Sequence, residues 1–284
     1  RRGVSKPVED DYIELDLHPR YDGALGRYIA VVRAVAIDDR TGKQQSRLTE
    51  LADKLSNPES ASDAAIQLEA LGESAIPTLL EGVASHDPEL RFYAAEALAY
   101  LDREEAIEPL EEAIITEAAF RYPAFTALKG LDHPTASSML VRLFDAASLE
   151  TRYGAFDALR GRGDAASHAV AQPVGSVVNL YELESGSAPA IIISTRKRPE
   201  IVLFGKASDV RIKGAILGPN ALIVKPDSAS PDQLRFSRFQ AGKDDRRSIA
   251  PATVRGLIEG IVAIGGDYAD VIAVLRQAKA KGAI

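Results

Sequence analysis

Three arginines at matched places, Arg91, Arg121 and Arg152, are the side chains whose type and spacing point most directly to chemistry. They open the runs Arg91-Phe92-Tyr93-Ala94, Arg121-Tyr122-Pro123-Ala124 and Arg152-Tyr153-Gly154-Ala155, thirty and then thirty-one positions apart. A row of guanidinium groups can hold carboxylates through paired N–H donors, so the row is a candidate grip for an acidic peptide or partner. The alternative is structural: each arginine pairs with an acid of a neighbouring repeat and locks the stack. Catalytic chemistry finds less. The four histidines, at 18, 86, 133 and 168, fall at no helical metal-ligand spacing, and His86 and His133 sit in turns, where capping or solvation is the simpler role. There is no nucleophile elbow and no phosphate-binding loop. Gly161-x-Gly163-x-x-Ala166 imitates a dinucleotide fingerprint but follows a helical pattern instead of a strand. The pairs Glu104-Glu105 and Glu111-Glu112 fall on helical surfaces and read as solvated. No catalytic residue, cofactor or metal is therefore expected.

The elements that carry the arginines recur with them. Ala94, Ala97-Leu98 and Leu101 return as Ala124, Ala127-Leu128 and Leu131, then as Ala155 and Ala158-Leu159. A degenerate earlier copy supplies Ala64, Leu68 and Leu71. Spacings of three and four place these residues on one helix face, and the period is that of an α-solenoid. A second helix follows in each unit, with Ile76, Leu79 and Leu80, then Ile107, Leu110 and Ile114, then Met139, Leu140 and Leu143. Pro77 and Pro109 lie early in those helices, where a missing N–H costs least. Four units over 57–162, the first and last irregular, resemble HEAT-type repeats of the short bacterial kind. Before them, residues 1–10 read as a frayed lead-in and Tyr12 to Leu17 as a half-buried strand. An amphipathic helix with Leu25, Tyr28, Ile29 and Val32 comes next, then a strand at Val35-Ala36-Ile37 and a helix with Leu48, Leu51 and Leu55.

Past Asp164 the pattern changes. Val177–Glu182, Ala190–Ser194, Ile201–Phe204, Val210–Ile216, Leu222–Val224 and Leu234–Phe239 read as strands, and two helices after Ser248 close the chain around Gly265-Gly266. Strands in a block followed by helices make an α+β domain. Charge divides at the same place: residues 1–164 carry 18 basic and 30 acidic side chains, and 165–284 carry 16 and 11. Net charges of −12 and +5 can steer opposite ends together in an assembly, or can be chance variation between two domains. The basic half lacks a stripe of cations interleaved with aromatics, so nucleic acid is not expected. No apolar run is long enough to span a membrane. The absence of cysteine excludes disulfides and thiolate metal sites without assigning a compartment. The chain opens Arg1-Arg2-Gly3 without an apolar leader and reads as a fragment or a mature form.

Ile201-Val202-Leu203-Phe204-Gly205, Asp209-Val210-Arg211-Ile212 and Gly218-Pro219-Asn220-Ala221-Leu222-Ile223-Val224 resemble a stretch of the bacterial flagellar basal-body P-ring protein family. Leu257-Ile258 through Gly265, then Asp270 to Lys279 and Gly282-Ala283, are similar to that family's closing helices, and residues 11–35 suit its strand-then-helix element. The family generally lacks a HEAT-like insert and continues past the Gly-Ala. The resemblance implies a non-enzymatic, periplasmic ring subunit with flagellar rod and L-ring-like partners. The fold expected is α+β and multidomain: residues 1–56 as part of the P-ring-like domain, a HEAT-like solenoid at 57–164, and the P-ring-like α+β domain at 165–284. A ring subunit self-associates in the fuller chain, and this stretch alone is expected to be monomeric. The alternative is a HEAT-repeat docking module of a regulatory or secretion assembly unrelated to motility.

Overall fold

A computed structural model describes residues 5–9, 12–35, 41–162, 169–195, 198–240, 242 and 244–284. The chain forms two compact units, Arg1–Ala165 and Ala166–Ile284. The segment 1–56 therefore folds in one unit with the repeats.

The first unit opens with a hairpin of β1 (Ser5–Glu9) and β2 (Tyr12–Leu15), so residues 5–9 are paired where a frayed end was expected. After a 3-10 turn at Pro19–Tyr21 come α1 (Leu25–Ala34) and α2 (Thr41–Leu55). The repeats follow as α3 (Ala61–Leu71), α4 (Ile76–Val83), α5 (Pro88–Tyr100), α6 (Ile107–Thr116), α7 (Ala118–Gly130), α8 (Pro134–Arg142) and α9 (Leu149–Gly161). Helices α3, α5, α7 and α9 pack in succession as one layer, and α4, α6 and α8 form the other. Ala94, Ala124 and Ala155 are fully buried, because only a methyl fits where these helices approach. Between them lie Leu68, Leu98, Leu128 and Leu159, each buried and each contributing about 1.5–3 kcal/mol by leaving water. Helix starts are fixed locally. Asp87 accepts from the Glu89 and Leu90 amides, Ser148 from Thr151, and His133 Nδ1 from Thr135. In α1 the buried residue is Tyr28, whereas Leu25 and Ile29, expected inside, are exposed. Val35 ends that helix in a bend; residues 36 and 37 of the expected strand, and likewise Gly163, Ala166 and His168, lie outside the described residues.

The second unit contains two sheets. Strands β3 (Gln172–Val174), β4 (Val178–Leu183), β5 (Ala190–Ser194) and β6 (Glu200–Phe204) lie in the order β3-β4-β6-β5, with β4 and β6 parallel. Strands β7 (Ile216–Leu217), β8 (Leu222–Pro226), β9 (Gln233–Arg238) and β10 (Arg246–Pro251) form an antiparallel meander. Helices α10 (Val254–Ala263) and α11 (Tyr268–Ala280) complete one core with Leu180, Leu203, Val224, Phe236, Leu257 and Val274. Gly260 is required there, since a Cβ would lie 2.3 Å from the Phe236 ring. The expected strand Val210–Ile216 is not formed. Gly205, at φ +63°, starts a 3-10 turn through Asp209, Arg211 makes a single antiparallel bridge to Thr253, and Gly214, at φ +80°, separates that bridge from the two-residue strand Ile216–Leu217. Strand β10 was unread because Arg246-Arg247-Ser248 lacks the apolar alternation of a strand.

Candidate protein-docking surface

The arginine ladder follows the turns between repeats. Arg91 Nη1 donates to Ser85 O (3.2 Å), Arg121 Nε to Ile114 O (3.2 Å) and Arg152 Nε to Ala146 O (2.5 Å). Each guanidinium thus meets a carbonyl at the end of the preceding second helix or just beyond it, where a cation complements the helix dipole. The outward N–H groups reach acids of later helices: Arg91 to Glu112 at 2.6 Å and Arg121 to Glu150 at 2.9 Å. Arg142 joins Glu111 across α8 and α6 at 2.8 Å, and Arg152 is buried. The three ladder guanidinium groups are engaged inside the unit.

A second constellation gathers on the face of α3, α5 and α7, which the N-terminal strap, residues 18–34, crosses. Arg20 donates to Tyr100 O (3.1 Å) and Gly130 O (3.3 Å), the last residues of α5 and α7, and pairs with Asp102 at 2.9 Å. Asp102, in the left-handed region at φ +66°, also accepts from the Asp132 amide at 3.0 Å. Tyr21 stacks on Tyr100 with centroids 4.8 Å apart and donates to Glu69 Oε1 at 2.5 Å. Arg27 Nε donates to Glu69 Oε2 (2.8 Å), Nη1 donates to Glu96 Oε2, and its Cζ lies 4.7 Å over the Tyr100 ring. Lys129 adds a tie at the same end of the strap, to Asp22 at 2.8 Å. Burial pushes the Glu69 carboxyl up against the pull of Arg27, and burial followed by the neighbouring carboxylate pushes the Tyr21 phenol up.

None of these strap contacts follows from the repeat pattern. The available signal was Glu96 in Ala94-Ala95-Glu96-Ala97-Leu98-Ala99, because a charge amid buried alanines needs a cation. His133 caps α8 and lies 3.0 Å from Glu104, and His18 Nδ1 accepts from the Arg20 amide. Glu105 pairs with Arg103 at 2.9 Å. Among the described residues no group of three His, Asp or Glu side chains converges as metal ligands would, and no helix is long and apolar enough to cross a membrane. The second unit has its own buried charge. Asp270 accepts from Asn220 Nδ2 (3.0 Å) and from the Asp267 amide (3.2 Å), and pairs with Arg238 at 3.1 Å. The Gly218-to-Ala221 turn is thereby tied to the start of α11.

Comparison with known proteins places HEAT repeats at residues 46–122, from within α2 to the start of α7. No curated protein matches the chain. Among solved structures, the complex of CpcE and CpcF of phycocyanin lyase from Nostoc sp. PCC7120 is similar at 25% identity with a TM-score of 0.35, over 42% of this chain and 79% of that one. Residues 46–122 of this chain are thus HEAT repeats, stacked in the first unit as paired helices.

Proposed function

We propose that the chain is a non-enzymatic docking module whose repeats bind a protein partner on the open side of the stack. The observation that carries this reading is the strap: it occupies the face of α3, α5 and α7, and so leaves the layer of α4, α6 and α8 available. That layer exposes Glu81 and Glu108 beside Glu104, Glu105 and Glu112, which pair with His133, Arg103 and Arg91, so the charge it offers a partner is that of Glu81 and Glu108 and the partner surface is basic. The test is capture of partners by the parent chain and by a Glu81→Lys/Glu108→Lys variant at low and high salt. A protein held by the parent and lost by the variant and by salt supports the reading. Equal capture by both rejects it.

A second reading is a structural subunit of a flagellar P-ring-like periplasmic ring, with rod and L-ring-like partners. It is favoured by the runs Ile201–Val224 and Leu257–Ala283, which carry the resemblance; the comparisons lend it no support. Imaging purified basal bodies for the chain decides it: absence from them removes this reading.

A further inference from the structure

The antiparallel sheet β7-β8-β9-β10 is covered by helices on one face only. Ile216, Leu222, Val224, Leu234 and Phe236 point into the core shared with α10 and α11. The intervening residues line the other face in two cross-strand rows. Leu217 lies opposite Ile223, Ile223 opposite Ser237, and Ser237 opposite Arg247. Lys225 lies opposite Arg235, and Arg235 opposite Ile249. Leu217 is 57% exposed and Ile249 54%, with Lys225 and Arg247 exposed beside them. Asp227 meets Arg235 at 2.5 Å and Asp245 meets Arg247 at 3.5 Å, which leaves Lys225 as added positive charge. A sheet face turned to water normally reads polar along its alternation. This one reads aliphatic and basic.

The first unit holds the opposite chemistry. The inner side of the strap is anchored by Arg20, Tyr21 and Arg27. Its outer side presents Leu25, 58% exposed, and Ile29 one turn later, and the residues just before the strap expose Leu17 and the acids Glu14 and Asp16. We propose that the outer side of residues 14–29 of one copy docks on the open sheet face of the next copy, head to tail. Complementary charge argues for a second copy as the occupant: the −12 and +5 halves are present in equal amount on every chain, and the exposed acids Glu14 and Asp16 near the strap answer Lys225 on the sheet face. The two patches differ, so the contact is heterologous and propagates toward a ring or filament. This deepens the second reading above and leaves the repeat-side partner untouched.

The chain has no cysteine, so single thiols report the contact cleanly. Leu25→Cys and Ile249→Cys alter exposed side chains, and unchanged melting curves verify both folds. When the two variants are mixed and oxidised, the mixed dimer should exceed either homodimer about tenfold, because complementary patches select the unlike pair. High salt should lower that excess, since screening acts over about 8 Å at physiological ionic strength. Arg247→Glu added to Ile249→Cys should lower it several times further. A mixed dimer only about twice as abundant as either homodimer, the 1:2:1 ratio of random collision between equal amounts, or any smaller share, would overturn the proposal. A disulfide formed within one chain of the double variant would assign the sheet face to the same copy's first unit, and would overturn it as well. Loss of the mixed dimer with salt-sensitive partner capture intact rejects the head-to-tail contact alone.

Discussion

Arg27 lies between two carboxylates almost withdrawn from water, whereas Arg91 and Arg121 reach acids at the surface. Removing one partner from a buried pair leaves an uncompensated charge, and Arg27→Ala is expected to cost about 3–5 kcal/mol. Arg91→Ala gives up one carbonyl contact and one exposed ion pair, for a cost of about 1 kcal/mol. Urea denaturation of the two variants checks that order, and equal losses would refute the strap as an anchored element. The strap also has a pH signature. Burial, before any charge nearby, raises the phenols of Tyr21 and Tyr100 above the ordinary 10.0. The folded state therefore holds those protons more tightly. The stability this contributes is complete below pH 10.0 and is lost as pH rises beyond it. In an alkaline titration followed by phenolate absorbance, Tyr21→Phe and Tyr100→Phe should each remove amplitude from the late phase, which coincides with unfolding.

Helix packing in the repeats depends on positions where nothing larger fits. Gly154, in register with Tyr93 and Pro123, sits under Phe125, and a Cβ there would lie 2.3 Å from the ring. Gly154→Ala gains about 1 kcal/mol of helix propensity but loses about 1–3 kcal/mol to overpacking, so a lower melting temperature is expected. Ala124→Glu places a charge at a fully buried methyl and should cost about 3 kcal/mol or more. A melting temperature within a degree or two of the parent's would refute that helix register. These positions were legible because stacking imposes a period, and Ala94, Ala124 and Ala155 print it in the sequence. The strap was not legible, since Glu69 and Glu96 find their cation 42 and 69 residues away, with no local rule linking them. For the same reason Leu25 and Ile29 misled: an amphipathic pattern says which face is apolar, not whether the chain covers it. In the second unit the buried strands announced themselves, but β10 pairs through its backbone while showing arginines to solvent.

At the scale of the whole chain, two units with separate cores should fold separately. A fragment of residues 166–284 is expected to give dispersed amide spectra and a cooperative melt. Joining 1–56 to 165–284 without the repeats removes Glu69, Glu96, Tyr100 and Gly130, so the strap should lose its protection from hydrogen exchange while the second unit keeps its own. Protection retained across 18–34 would show that this segment has another seat. The strap has a mechanical consequence too. A stack of helical hairpins is an elastic rod whose curvature changes by small rotations shared among its joints. Glu69, Glu96 and Gly130 tie one segment to three successive helices of the layer, and its anchors end in α7. The strap therefore splints the rod along α3, α5 and α7, and the next joint is held separately by Arg162, which donates to Leu128 O (2.6 Å) and His133 O (3.0 Å), so an imposed bend must break a side-chain tie at each of these joints.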